Sequence, residues 1–199
     1  MKIGKNLKID VKSFFRKSPP KVKEDFLVCL INGRMGTGKT YVSVYLTAKY
    51  LKGKKIKTNI KSLNIPDRDI VYFDNISDII NDFEENCVYI IDELSKKYTK
   101  ECKQDKDFYC WLQHSRKSKR YVLLITQEYL QVPQWLRGVS NVVYTTTKMK
   151  LLPLFKTYKG VPFLTEDKEW DIEPLQTYIY KRNKFYTDMY DTFESVSIL

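Results

Sequence analysis

Short continuous apolar runs, each ending in a polar or glycine-rich break, recur along this chain. Phe26–Ile31, Cys87–Ile91 and Tyr121–Ile125 are three of them, and runs of this length without alternation read as strands buried on both faces. Between them the period changes. Val42, Tyr45, Leu46 and Tyr50 recur at helical spacing, with Gly53 as a stop. Ile76, Ile79, Ile80 and Phe83 share one side of a helix over 76–83. Phe108, Trp111 and Leu112 fall at i, i+3 and i+4 and predict a helix over 104–117. Weaker signals place strands at Lys55–Ile60, Ile70–Phe73 and Val142–Thr147, and a short helix at Pro133–Leu136. Past Thr147, Gly160, Pro162 and many aromatics suggest a hairpin or meander, while residues 174–190 are ambiguous between helix and strand. The alternation of strand and helix predicts an α/β fold, a mainly parallel sheet flanked by helices, with a small aromatic-rich C-terminal extension. Residues 1–24 are lysine-rich and read as a basic N-terminal arm, with one short element around Val11–Phe15; residues 25–199 form the folded domain.

The break after the first strand carries the strongest chemistry. Gly33-Arg34-Met35-Gly36-Thr37-Gly38-Lys39-Thr40 has the spacing G-x-x-x-x-G-K-T. Glycines let the backbone curl so that successive N–H groups face one anion. A lysine at this place reaches terminal phosphates, and the adjacent hydroxyl holds Mg²⁺. The helix that follows adds the positive end of its dipole. Strand, glycine loop and helix together are the context this phosphate-binding loop needs, so ATP and Mg²⁺ are the expected cofactors.

The second apolar strand delivers Asp92-Glu93 at its C-terminal end, the edge where open α/β sheets bind ligands. Asp92 is expected to hold Mg²⁺, directly or through water, and Glu93 to polarise an attacking water. A water activator favours hydrolysis over transfer to a small substrate. The third strand ends in Thr126-Gln127, and Gln127 is expected to sense the γ-phosphate or orient water.

The chain has 199 residues, enough for one sizeable core, and a formal net charge of +11. That excess favours a polyanionic partner, most simply nucleic acid. Nine basic against three acidic side chains lie in residues 94–120. Most of these lysines read as a solvated face, but Lys117, Lys119 and Arg120 are candidates for DNA backbone contact. Arg116, Arg120 and Arg137 are candidates for the arginine a neighbouring subunit donates during phosphoryl transfer. Arg34, within the loop, is placed to contact nucleotide or a neighbour. Cys29, Cys87, Cys102 and Cys110 include no C-x-x-C pair, and the one histidine is His114. They read as reduced thiols of an intracellular protein, not as a zinc site. No apolar run approaches the ~20 residues of a membrane span.

The loop, Ile90-Ile91-Asp92-Glu93, and Arg116 upstream of a strand ending in Thr126-Gln127 together resemble the FtsK–HerA superfamily of DNA-pumping ATPases. Within it the chain is most similar to viral genome-packaging ATPases and zonula occludens toxin-like phage assembly proteins. Thr58-Asn59-Ile60 and Tyr190-Asp191-Thr192 look like short motifs found there. The resemblance spans about residues 26–193. It implies a RecA/FtsK-like P-loop fold, a homo-oligomeric ring, usually a hexamer, with ATP between subunits, and duplex DNA as cargo. Lys39, Thr40, Asp92, Glu93 and Gln127 come from one subunit and an arginine, Arg116 or Arg137, from the next. A capsid or portal-vertex partner and a place in the host cytoplasm or virion follow from the same likeness. Two departures stand out. Toxin-like relatives usually carry a transmembrane segment after the ATPase domain, and many place histidine and glycine where this chain has Lys117–Arg120. A nucleoside kinase of the thymidine kinase type shares the loop and the Asp-Glu strand, but its zinc-binding cysteine pairs are missing.

Overall fold

A computed structural model gives the architecture and describes residues 27–82, 84–149 and 154–191. The basic arm, the element around Val11–Phe15, Phe83 and Thr192 lie outside these residues.

The apolar runs become the middle of the sheet. β1 (Leu27–Asn32), β4 (Val88–Ile91) and β5 (Tyr121–Thr126) are buried at every residue. Burying each Leu, Ile or Val contributes about 1.5–3 kcal/mol, and apolar side chains fill these strands up to the polar tips Asn32 and Thr126. β2 (Ile56–Thr58) and β3 (Ile70–Tyr72) extend the sheet on one side. β6 (Val142–Lys148), β7 (Phe155–Leu164) and β8 (Trp170–Tyr180) extend it on the other. The strand order is β3-β2-β4-β5-β1-β6-β7-β8. Every pairing from β3 through β6 is parallel, and β7 and β8 are antiparallel additions.

α1 (Lys39–Tyr50), α2 (Ile76–Ile80), α3 (Lys106–Gln113), α4 (Gln134–Val139) and α5 (Lys184–Thr187) accompany the strands. α3 begins at Asp105, whose carboxylate accepts the Phe108 N–H, a side-chain N-cap. Its apolar face lays Trp111 edge-on against Tyr89 of β4, with ring centroids 4.8 Å apart, and packs Phe108 flat on Tyr98 at 5.4 Å.

Three sequence expectations change. The helix over 76–83 ends at Ile80, and Asp82 turns inward to meet Lys57 and Tyr89. The helix over 104–117 ends at Gln113, and a run of turns carries the chain to Arg120. The ambiguous stretch 174–190 divides into the second half of β8 and the single turn of α5. Its tyrosines satisfy both readings locally, and only pairing with β7 decides for strand.

The topology fixes what can meet. All six parallel strands end at one edge. β5 lies between β1 and β4, so Gln127 emerges between the phosphate-loop candidate and the Asp92-Glu93 pair.

Candidate nucleotide site

The loop 33–38 is anchored from below by β6. Asn32 donates its side-chain amide to Thr145 Oγ1 at 3.0 Å. Thr146 donates its hydroxyl to the Asn32 carbonyl at 3.1 Å and lies 2.8 Å from the Thr37 hydroxyl. Gly33 is required by this close approach. Its φ is +148°, and a Cβ there would lie 2.4 Å from the Thr146 carbonyl oxygen. Gly36 and Gly38 also take positive φ, of 74° and 96°. The Arg34 carbonyl gathers the turn, accepting from Thr37 Oγ1 at 2.7 Å and Lys39 Nζ at 3.2 Å. The side chains of Arg34 and Met35 project outward, with Met35 83% exposed.

Lys39 and Thr40 open α1 and face the end of β4. Thr40 donates its hydroxyl to Asp92 Oδ2 at 3.2 Å. Burial pushes the Lys39 ammonium below its ordinary value, against the pull of the Asp92 and Glu93 carboxylates. Burial likewise raises the Asp92 carboxyl, although the Glu93 N–H, Thr40 and Lys39 all favour its charged form. A hydroxyl and a carboxylate at this separation are hard oxygen donors, and they fit Mg²⁺ held mostly by water and phosphate.

Glu93 has φ +54° and ψ 39°, a left-handed backbone unusual for a glutamate. Such conformations persist where surrounding contacts over-determine them, often at functional sites. Here the Glu93 N–H donates back to Asp92 Oδ1 at 2.7 Å, and its carboxylate pairs with Lys96 one turn on. Gln127 follows the last residue of β5 with its side chain exposed, and its carbonyl accepts the Gly33 N–H at 3.2 Å.

The structure thus brings Gly33–Thr40, Asp92, Glu93 and Gln127 together, and it separates the arginines. Arg116, Lys117 and Lys119 are exposed on the turn before β5. That turn meets the starts of β1 and β4, through Leu27 N–H to the Arg120 carbonyl and Tyr121 N–H to the Cys87 carbonyl. It is therefore at the sheet edge opposite the loop, about 20 Å away along a six-residue strand.

Two candidates are corrected by burial. Arg120 is 2% exposed. It donates to the Asp82 carbonyl at 2.8 Å and the Glu84 carbonyl at 3.3 Å, and lies over the Trp111 ring. It is a core brace, not a DNA contact. Arg137 is 1% exposed, donates to the Trp170 carbonyl at 2.9 Å and lies over Tyr129, so it does not reach a neighbour.

Sequence reasoning missed two residues. Asn59 clamps Asp92 from β2's end, accepting its N–H at 2.8 Å and donating to its carbonyl at 3.0 Å. The motif containing Asn59 was visible, but the partner was not. Arg182, which follows β8, donates to the Gly36 carbonyl at 2.9 Å. No sequence signal links positions so far apart.

Comparison with known proteins agrees with this geometry. The family described as Zonular occludens toxin (Zot) matches residues 27–197. The N-terminal domain of zonular occludens toxin from Neisseria meningitidis superposes with a TM-score of 0.63 at 20% identity, covering 82% of this chain and 97% of that one. The genome packaging NTPase B204 from Sulfolobus turreted icosahedral virus 2, complexed with ATP-gammaS, gives 0.51 at 12% identity, covering 77% and 100%. The same NTPase with sulfate gives 0.53 at 13% identity, covering 76% and 98%. At these identities the likeness shows a shared P-loop NTPase fold. No curated protein sequence matches the chain.

Proposed function

Because the chain belongs to the zonular occludens toxin family and keeps its loop, acid pair and polar strand tip on one sheet edge, we propose that it is an ATP-hydrolysing motor that moves viral or phage DNA. The observation that carries the hydrolytic part is the Thr40–Asp92 contact at 3.2 Å beside Lys39. It supplies hydroxyl, carboxylate and ammonium where a phosphate loop needs them. Bound Mg²⁺ would neutralise phosphate charge there. Lys39 and the loop N–H groups orient the nucleotide, Thr40 and Asp92 hold the metal, Glu93 orients the attacking water, and Gln127 reads the γ-phosphate position.

Arg116 completes the site of a neighbouring copy in a ring, usually a hexamer in similar motors. Its place on the far sheet edge supports action in trans, because it is about 20 Å from its own loop. Arg116 takes precedence because Arg120 and Arg137 are committed to internal carbonyls. Lys117 and Lys119, exposed on the same turn, supply sequence-independent DNA phosphate contacts. A basic chain of +11 charge supports that cargo.

Genome packaging is one setting for such a motor. The second is phage assembly or extrusion at a membrane with a separate anchor, favoured by the family match over 27–197. None of the described helices is long and apolar enough to cross a membrane. Phosphate release by the purified protein, with duplex, single-stranded or no DNA and with Lys39→Ala as control, tests the proposal. Stimulation by DNA that falls with salt is expected. Equal turnover with and without DNA, in the assembled state, overturns the motor reading. Membrane co-purification without DNA binding shifts it to the second setting.

A further inference from the structure

The segment after β8 returns across the front of α1. Three contacts pin it. The Asn183 N–H donates to the Tyr41 hydroxyl at 3.1 Å, the Asn64 N–H to the Met189 carbonyl at 2.7 Å, and the Asp191 N–H to Ser62 Oγ at 2.8 Å. Tyr41, in the first turn of α1, stacks on Tyr180 at 5.7 Å. The path carries Arg182 onto the phosphate loop itself.

The guanidinium of Arg182 is held but not neutralised. It stacks 4.0 Å from the centre of the Phe155 ring and donates Nη2 to the Gly36 carbonyl at 2.9 Å. Its Nε is buried with no hydrogen-bond partner among the described residues. No acidic side chain pairs with it among them. The hydroxyls of Tyr41, Tyr180 and Tyr190, kept neutral by burial, lie within its electrostatic reach. A partly buried cation with an unused donor, and no carboxylate, is a group waiting for an anion.

The glycine at the loop's end shows how closely the guanidinium approaches the loop. A Cβ on Gly38 would sit 3.0 Å from Arg182 Nη2 and 3.4 Å from Nε. The planar fork therefore fills the space that the missing side chain leaves beside the Gly38 backbone. Loop glycines of this type exist so that phosphate can approach the backbone closely. Arg182 thus stands against the loop at Gly36 and Gly38, with its charge unpaired and its Nε without a partner among the described residues.

We propose that Arg182 is a phosphate ligand for the nucleotide, supplied by the same subunit that supplies the loop. The proposal rests on reading Gly33–Thr40 as a nucleotide loop. It assigns the segment after β8 a binding role distinct from the arginine a neighbour supplies.

The test is ATP titration by calorimetry on the full chain with Mg²⁺, for wild type, Lys39→Ala, Arg182→Ala, Arg182→Gln and Arg182→Lys. Melting without nucleotide is measured alongside. Arg182→Gln keeps an N–H for the Gly36 carbonyl and removes the charge, so it serves if Arg182→Ala does not fold. The expected result is a Kd for ATP raised about ten- to a hundredfold in Arg182→Gln, as for loss of one charged hydrogen bond. Arg182→Lys recovers part of the loss, and the nucleotide-free melting temperature stays near wild type. Wild-type affinity in Arg182→Gln, while Lys39→Ala has lost binding, overturns the proposal and leaves the loop reading intact. So does lost affinity accompanied by a lowered nucleotide-free melting temperature and no recovery in Arg182→Lys, which marks a brace. If Lys39→Ala binds as wild type does, or wild type does not bind, the loop reading falls and this proposal with it.

Discussion

Thr40 Oγ1 donates to Asp92 Oδ2 across 3.2 Å, joining the first turn of α1 to the end of β4. Each side chain alone is a poor metal ligand. Together they form one face of a cation site. Thr40→Ala and Asp92→Asn should each lower Mg²⁺-dependent ATP hydrolysis by on the order of a hundredfold, comparable with losing one preorganised electrostatic group. Single-turnover phosphate release measures this. Activity retained in both variants would place the metal elsewhere.

Asn59 touches only the backbone of Asp92, yet it sets where that carboxylate points. Asn59→Ala leaves the Asp92 N–H and carbonyl without these partners, costing about 1–3 kcal/mol of stability. Groups that orient a metal ligand typically matter ten- to a hundredfold, so hydrolysis should fall by about that factor. Raising Mg²⁺ should recover part of it. Denaturant unfolding and Mg²⁺ titration read the two effects separately.

Two aspartates should respond to pH in opposite senses. For Asp82, burial raises the carboxyl, but hydrogen bonds from Lys57, the Glu84 N–H and Tyr89 outweigh it and hold the group below its ordinary value. Its folded value is depressed, so its stabilisation is present above the ordinary carboxylate range and is lost as pH falls through the depressed value. Asp82→Asn should flatten the acid limb of stability. For Asp92 the folded value is raised by burial, so the folded state holds the proton longer and ionisation costs stability as pH rises. Asp92→Asn should be more stable than wild type at neutral pH while hydrolysing ATP more slowly. Melting curves from acid to neutral pH check both signs, and an Asp92→Asn protein less stable than wild type refutes the second.

The turn before β5 holds side chains of two kinds. Arg120→Ala removes two donors to the Asp82 and Glu84 carbonyls and the guanidinium packed on Trp111, and should cost about 1–3 kcal/mol of stability, seen as a lower melting temperature. Lys117→Ala should leave stability within about 0.5 kcal/mol and reduce the salt dependence of DNA binding by roughly one ion. Arg116→Ala should bind ATP normally and hydrolyse it slowly in the assembled state. Its activity should return when Arg116→Ala and Lys39→Ala subunits are mixed, because each supplies the half the other lacks.

Gly33→Ala places a methyl group against the Thr146 carbonyl with φ at +148°. The expected cost is about 1–3 kcal/mol, from backbone strain alone. Gly53, also at positive φ, has open space around it, so Gly53→Ala should cost less. Comparing the two unfolding midpoints isolates the contact with β6.

The middle of the fold was legible because burial on both faces leaves a strong signature. Leu27–Ile31 and Tyr121–Ile125 contain no polar residue but Tyr121 and Cys29, and both became central strands. The loop and the Asp92-Glu93 pair were legible because their spacing is local. What escaped was set by distant partners. Ile76–Phe83 has helical spacing, but Asp82 gains more by meeting Lys57 and Tyr89 than by continuing the helix. Arg120 and Arg137 look like surface arginines until the fold places backbone carbonyls around them. Asn59 and Arg182 bond to groups 33 and 146 positions away, which no periodicity reports.

The return of the chain over α1 has a consequence for how the molecule is made. Asn183 and Arg182, which lie against Tyr41 and Gly36, leave the ribosome more than a hundred residues after the phosphate loop. A nascent chain therefore carries the loop without this wall until the segment after β8 has been made.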